Sequence, residues 1–524
     1  MEKAKANRLL LSKCGPVIFF AVLFAILLIL YLPSFTNPPH VDYWEAFYTF
    51  YRADTFSPPA SWIIILNHDP WQDGTFRPFA YFSLYIIHKV FGSYFIGNHV
   101  FNFIIYCLVI VLLYRLAREL GLDGLLAGAF LAVYAFLFSH CDILSLTFHL
   151  FVIMSFSVFL VGFVLYLKFM ATGKRILLIP ISLLFLFGMY CYEVYVLWPL
   201  AVIILSHIPR GYESPQSPRV KTPGVVWVML GVIYFFYLAG FLLSRSAGHI
   251  SGSFPIPTAY QIFISFCSVF FNLFYNGILI NVMPLFAAPD RFGYWVEMRN
   301  VQITNIGLGS LRNIVTWGGL IVMIIIGTGG WILYRLRYFR VLILLVFFMF
   351  LYMGNFFVVT LARSTNSNFG HLLVQFRYQY IPNALLVLMV LLVVDKLSHP
   401  GWKSKVITVS ILIPVLIVNI YFSRRNVRII NANLRPLQLL LADISEGIQA
   451  GEINEEARIY IQPGITDYLP PLCWHKEVGK FMDGTYEWFF PKEDINFFVF
   501  SREKATWVLD QPIVGYRKRT MMDN

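Results

Sequence analysis

The sequence predicts an all-α polytopic membrane protein of about 11 transmembrane helices, with juxtamembrane helices on the outer face and a small α/β domain at the carboxyl end. Three observations carry that expectation. The 524 residues are 58% hydrophobic and 13% charged, with a mean hydropathy of +0.68, outside the composition of soluble domains. Apolar stretches of about 20 residues, the length that crosses a hydrocarbon core, recur along most of the chain. The charged residues sort between alternate connecting segments, as a fixed orientation in a bilayer requires.

The first apolar stretch, Pro16 to Leu32, follows Lys3, Lys5, Arg8 and Lys13. No small-residue cleavage site comes after it, so it reads as a retained signal anchor. Further spans are expected near 96–116, 123–139, 147–168, 176–192, 194–207, 225–243, 314–334, 341–360, 381–397 and 406–422. With the amino end inside, the segments on the cytoplasmic side hold 18 Lys and Arg against five acids. The outer loops hold nine of each sign. The cytoplasmic side therefore carries +13 and the tail after Phe422 carries −1, which together make the net charge of +12; this sorting excludes a nucleic-acid reading and sets the amino end in the cytoplasm. The six cysteines are scattered with no metal or disulfide spacing. No Asn-x-Ser/Thr sequon occurs, which favours a bacterial inner membrane over a secretory pathway.

Residues 1–422 are expected to form the membrane domain. Two outer segments, 33–95 and 244–313, are too long to be simple connectors. In the first, the run Phe79 to Phe91 reads as a helix lying at the outer interface. In the second, Tyr260 to Phe286 reads as a re-entrant helix or tight hairpin, since one more crossing would put Arg335, Arg337 and Arg340 outside. Residues 423–524 read as an extracytoplasmic α/β unit. Its helix carries Leu437, Leu440, Leu441, Ile444 and Ile448 up to Gly451, and its strands lie at Arg458–Ile461 and Ile495–Phe500.

Charged groups beside a bilayer are costly and usually functional. Asp42 and Glu45 follow the first span and share one face of a helical turn. Asp142 and Glu193 lie in two further outer turns. Arg77, Arg363 and Arg377 supply outer cations. A carboxylate can accept a proton from a hydroxyl, arginines can hold a phosphate as it leaves, and paired carboxylates such as Asp42 with Asp142 can bind Mg or Mn through oxygen. His40, His68, His140 and His371 read as ordinary interfacial or hydrogen-bonding histidines.

Several short motifs add to this. His68-Asp69-Pro70-Trp71, Phe76-Arg77-Pro78-Phe79, Gly97-Asn98-His99-Val100-Phe101-Asn102 and Arg377-Tyr378-Gln379-Tyr380-Ile381-Pro382, in this order, resemble the GT-C superfamily of membrane glycosyltransferases. The branch most similar is that of protein O-mannosyltransferases and TMTC-like proteins. The resemblance covers about the first 210 residues and, loosely, 350–400. It implies an inverting transfer from a polyprenyl-phosphate sugar to an acceptor glycan, lipid or protein. Asp42 would be the base, with Glu45 as second acid, Asp142 and Glu193 orienting acceptor or metal, and Arg377, Arg77 and Arg363 on the donor phosphate. The family's acids are adjacent, whereas Tyr43-Trp44 separate these two, and no helical repeat array follows the membrane part. A transporter or flippase, and a ligase or polymerase of lipid-linked saccharides, are the alternative expectations.

Overall fold

The computed structural model describes residues 2–37, 50, 60–66, 77–91, 95–145, 150–207, 223–246, 258–279, 281, 308–363, 379–397, 402–449, 458–460, 497–501 and 506–510. In chain order the helices are α1 (Glu2–Tyr31), α2 (Ala60–Leu66), α3 (Pro78–Phe91), α4 (Phe95–Glu119), α5 (Gly124–Ala135), α6 (Cys141–Ser145), α7 (Leu150–Thr172), α8 (Leu178–Cys191), α9 (Ala201–Ser206), α10 (Pro223–Ser246), α11 (Ala259–Asn272), α12 (Leu308–Arg335), α13 (Phe339–Arg363), α14 (Tyr380–Leu397) and α15 (Trp402–Gln449). Among the described residues seven helices are long and apolar enough to cross a membrane, and α5 with α6 makes an eighth if the bent pair is one span. The chain is an integral multi-pass membrane protein. Without water, each buried peptide group must bond within the chain, which is why the apolar stretches are helical.

Seven of the expected spans coincide with helices long enough to cross, whereas 123–139 is broken after Ala135, 176–192 is the shorter α8, 194–207 is two 3-10 turns followed by the six-residue α9, and 381–397 is the 18-residue α14; the run Phe79 to Phe91 is α3. The Tyr260 to Phe286 stretch contributes α11 and a π-helical turn, Leu273–Leu279. Thr258 starts α11 through a capping box with Gln261. The largest departure is α15. It runs 48 residues without interruption, about 72 Å at 1.5 Å per residue, straight through Phe422, where the composition turns polar. Polarity alone does not end a helix, and neither glycine nor proline occurs between Pro414 and Pro436, the stretch that contains Phe422. Farther on, β1 (Arg458–Tyr460) pairs parallel with β2 (Phe497–Ser501), and β2 pairs antiparallel with β3 (Thr506–Asp510).

Helices pack most closely where side chains vanish. Gly162 of α7 lies under the Phe185 ring of α8, and Gly188 of α8 lies under Phe159 of α7. Gly319 of α12 rests directly on the Cys267 carbonyl of α11, so a Cβ there would overlap backbone. Gly319→Ala is therefore expected to lower stability by about 1–3 kcal/mol, read as a lower thermal-unfolding midpoint in detergent. Gly327→Ala on the same helix, with open space around it, should leave the midpoint unchanged or raise it.

One end of the bundle is clasped. After α4, Gly121 takes a positive φ of 80°, the usual way to close a helix. The turn that follows is held from three other helices. Arg340 donates to the Leu120 carbonyl (3.1 Å), the Asp123 amide donates to Asp395 (3.1 Å), and the Lys405 ammonium meets the Asp123 carboxylate at 2.6 Å. Asp123 also caps α5, accepting from the amides of Leu125 and Leu126. Above this clasp an apolar groove of ≈ 460 Å³ opens between α1, α5 and α15, lined by Gly15, Phe19, Gly128, Ala129, Leu412 and Leu416 among others.

Burial works against the Asp123 charge, but Lys405 and the two cap amides outweigh it, so its carboxyl is held below the usual carboxylate range. A depressed folded-state pKa means stability present above the unfolded value, about 3.9, and lost as pH falls through the lower folded value. Wild type should thus exceed Asp123→Asn in unfolding midpoint at pH 7, with the difference shrinking below about pH 4. A gap that is constant with pH would show that Lys405 contributes nothing through charge.

Candidate functional site

The opposite end carries the outer-loop candidates. Arg77 sits immediately before α3, and Glu193 opens the turn Glu193–Tyr195 after α8. The Arg77 Nε donates to one Glu193 oxygen and the second nitrogen to the other, both at 2.5 Å. This is the two-pronged geometry that guanidinium and carboxylate match. The guanidinium also lies over the rings of Tyr192 (5.0 Å) and Phe151 (5.9 Å), a cation–π setting. Burial works to lower the pKa of Arg77, but Glu193 outweighs it and holds the value well above the ordinary one. Both side chains are mostly buried, at 16% and 26% exposure. The pair ties α3 to the turn between α8 and α9.

Next to it the chain breaks. α5 ends at Ala135, the turn Phe138–His140 follows, and α6 continues at a sharp bend. The break strands backbone groups, and side chains from distant helices satisfy them. Ser423 of α15 donates to the Phe136 carbonyl (3.0 Å), and Asn419, one turn earlier, accepts from the Phe138 amide (3.3 Å). Tyr106 of α4 donates to the Ala135 carbonyl (2.8 Å), and Asn102, one turn earlier, donates to the Ile143 carbonyl (2.7 Å). Asn383 of α14 donates to the Ser139 hydroxyl (3.1 Å).

His140 lies at the centre. Its ring is 4.7 Å from Tyr134 and 5.0 Å from Tyr380, centroid to centroid. The Tyr106 hydroxyl has spent its one hydrogen on Ala135, so in its 2.9 Å bond with His140 it accepts from Nδ1–H. Nε2 of His140 then carries a lone pair. At the same level, Ser34 and Asn37 after α1 bond Ser145 and Asn431, and His99 Nε2 donates to the Asn37 carbonyl (3.1 Å).

Among the sequence-selected residues, the structure brings Arg77 and Glu193 together as partners of each other. Asp142 falls in α6 and Arg363 ends α13, and their side chains lie outside the described residues, as do Asp42, Glu45 and Arg377. No group of three His, Cys, Asp or Glu that could hold a metal ion occurs among the described residues. Asp42 and the Asp142 side chain, expected to share a divalent cation, lie outside those residues. Asn98, Asn102, Gln379 and Asn383 were not selected as site residues. Their signal was the four-residue spacing Asn98/Asn102 and Gln379/Asn383, which places each pair on one helix face. No protein-family model matches this sequence, and no curated protein is significantly similar to it.

Proposed function

We propose that the chain is an inverting glycosyltransferase that moves a sugar from a polyprenyl-phosphate donor to an acceptor hydroxyl at the extracytoplasmic face of a bacterial inner membrane. In this reading the membrane domain has about 11 crossings, the amino end and the Asp123 clasp are cytoplasmic, and the tail with its strands is an extracytoplasmic α/β unit. Asp42 takes the proton of the acceptor hydroxyl, with Glu45 three residues farther on. The hydroxyl oxygen attacks the anomeric carbon, the bond from that carbon to the phosphate oxygen breaks, and the polyprenyl phosphate leaves. Arg377 and Arg363 hold its charge. Glu193 holds Arg77 at the same end, and Asp142 orients the acceptor.

One observation supports this arrangement above the others. Described residues at the broken, polar end of the bundle are short sequence links from each candidate. Asn37 is five residues before Asp42, His140 two before Asp142, and Gln379 two after Arg377. A chain reaches at most about 3.6 Å per residue, so acid and phosphate-binding groups are tethered to one region. Arg363 is at the far end of α13 from Arg340 of the clasp.

A transporter of lipid-linked saccharides is the second reading, favoured by the break between α5 and α6, since transporters build their sites on interrupted helices. Purified protein in detergent, given a polyprenyl-phosphate sugar pool, separates the two. Sugar release in the presence of an acceptor supports the transferase. Donor binding with no release, whatever acceptor is added, removes it in favour of transport.

A further inference from the structure

Five uncharged polar side chains surround the α5–α6 break and are almost wholly buried: Asn98 (0% exposed), Asn102 (0%), His140 (0%), Gln379 (1%) and Asn383 (1%). Among the described residues, both amide atoms of Asn98, both of Gln379, Oδ1 of Asn102, Oδ1 of Asn383 and Nε2 of His140 have no hydrogen-bond partner. Buried polar atoms are nearly always bonded, and the demand is greater in a bilayer. Asn98 and Asn102 stand one turn apart on α4, and Asn102 touches Ile143. Gln379 and Asn383 stand one turn apart at the start of α14, and Asn383 touches Ser139. Two polar faces thus flank the break from either side, with His140 between them.

The chemistry of the set narrows what fits. A phosphate or a carboxylate would ask for cations, and a divalent metal for carboxylates. Carboxamides offer donor and acceptor together, and the lone pair of His140 Nε2 accepts from a hydroxyl. We infer that the layer of Asn98, Asn102, His140, Gln379 and Asn383, closed in this structure, opens to take the hydroxyl-bearing sugar ring of the lipid-linked donor, distinct from the arginines that hold its phosphate. This rests on the proposed function for the identity of the donor.

These atoms take part in no hydrogen bond among the described residues, and that separates a ligand-binding layer from a structural network. In the unliganded protein Gln379→Leu breaks no hydrogen bond, so its thermal-unfolding midpoint should match or exceed that of wild type. Native mass spectrometry of the full chain in detergent then compares two probes, a polyprenyl-phosphate hexose and the same polyprenyl phosphate without sugar. Wild type should prefer the hexose lipid by roughly tenfold or more, and Gln379→Leu and Asn98→Leu should bind both lipids alike, since each lost pair of hydrogen bonds is about a tenfold effect. A lower midpoint in Gln379→Leu, or equal binding of the two lipids by wild type, overturns the pocket. If wild type binds neither lipid, the lipid-donor reading fails. Soluble methyl hexosides then decide the pocket: raising the midpoint of wild type but not of Gln379→Leu sustains it, and raising neither overturns it.

Discussion

Asp42→Asn is expected to lower sugar release by about 10²–10⁴-fold, the usual contribution of a positioned general base. Asparagine keeps the shape and the hydrogen-bonding reach of aspartate but accepts no proton. The acceptor hydroxyl would then attack while still protonated. Because the lost interaction develops only as the hydroxyl oxygen gains charge, the fall should appear in kcat, with the donor KM little changed. Glu45→Gln, three residues farther on, tests whether the two acids share the task. A fall confined to Asp42 assigns the base to it, and a similar fall in both makes them a coupled pair. Equal turnover in Asp42→Asn and wild type would remove Asp42 from the chemistry and place Asp142 next.

Glu193→Ala should be strongly destabilising. It leaves the Arg77 guanidinium largely buried between Tyr192 and Phe151 with its two-pronged partner gone. Removing one member of a fully buried pair costs about 3–5 kcal/mol because the other charge is stranded. With 16% and 26% of the two side chains exposed, water offsets part of that, and about 2–3 kcal/mol is expected. Arg77→Met combined with Glu193→Leu removes both charges and should recover much of the loss. A double variant as unstable as the sum of the two single changes would show that the pair contributes through packing rather than charge.

Much of the helical layout was legible because hydropathy and helix length are tied by the bilayer. The expected spans 96–116 and 147–168 became Phe95–Glu119 and Leu150–Thr172. The motif segment Phe76 to Phe79 led to Arg77, and the turn after α8 to Glu193. Their pairing was not legible, since 116 residues separate them and sequence spacing carries no such contact. The break after α5 was also hidden. Phe136-Leu137-Phe138 holds neither glycine nor proline, and what makes it tolerable is Asn419 and Ser423, more than 280 residues farther on. The length of α15 was missed for the opposite reason. A shift from apolar to polar residues marks where a helix leaves the membrane, which is not where it stops.

The Asp123 clasp has a mechanical consequence. Five helices and the turn between two of them are fastened together at one end by charged bonds, whereas the far end contains an interrupted helix and unspent hydrogen-bonding groups. A bundle pinned in that way behaves like a pair of tongs. Small tilts of its members pivot about the fastened end, and their displacement grows with distance along the helix. At about 1.5 Å per residue, the 25 residues of α13 turn a tilt of a few degrees into a displacement of a few ångströms at Arg363. Widening is thus confined to one end of the bundle, and the fastened end stays sealed while the other opens.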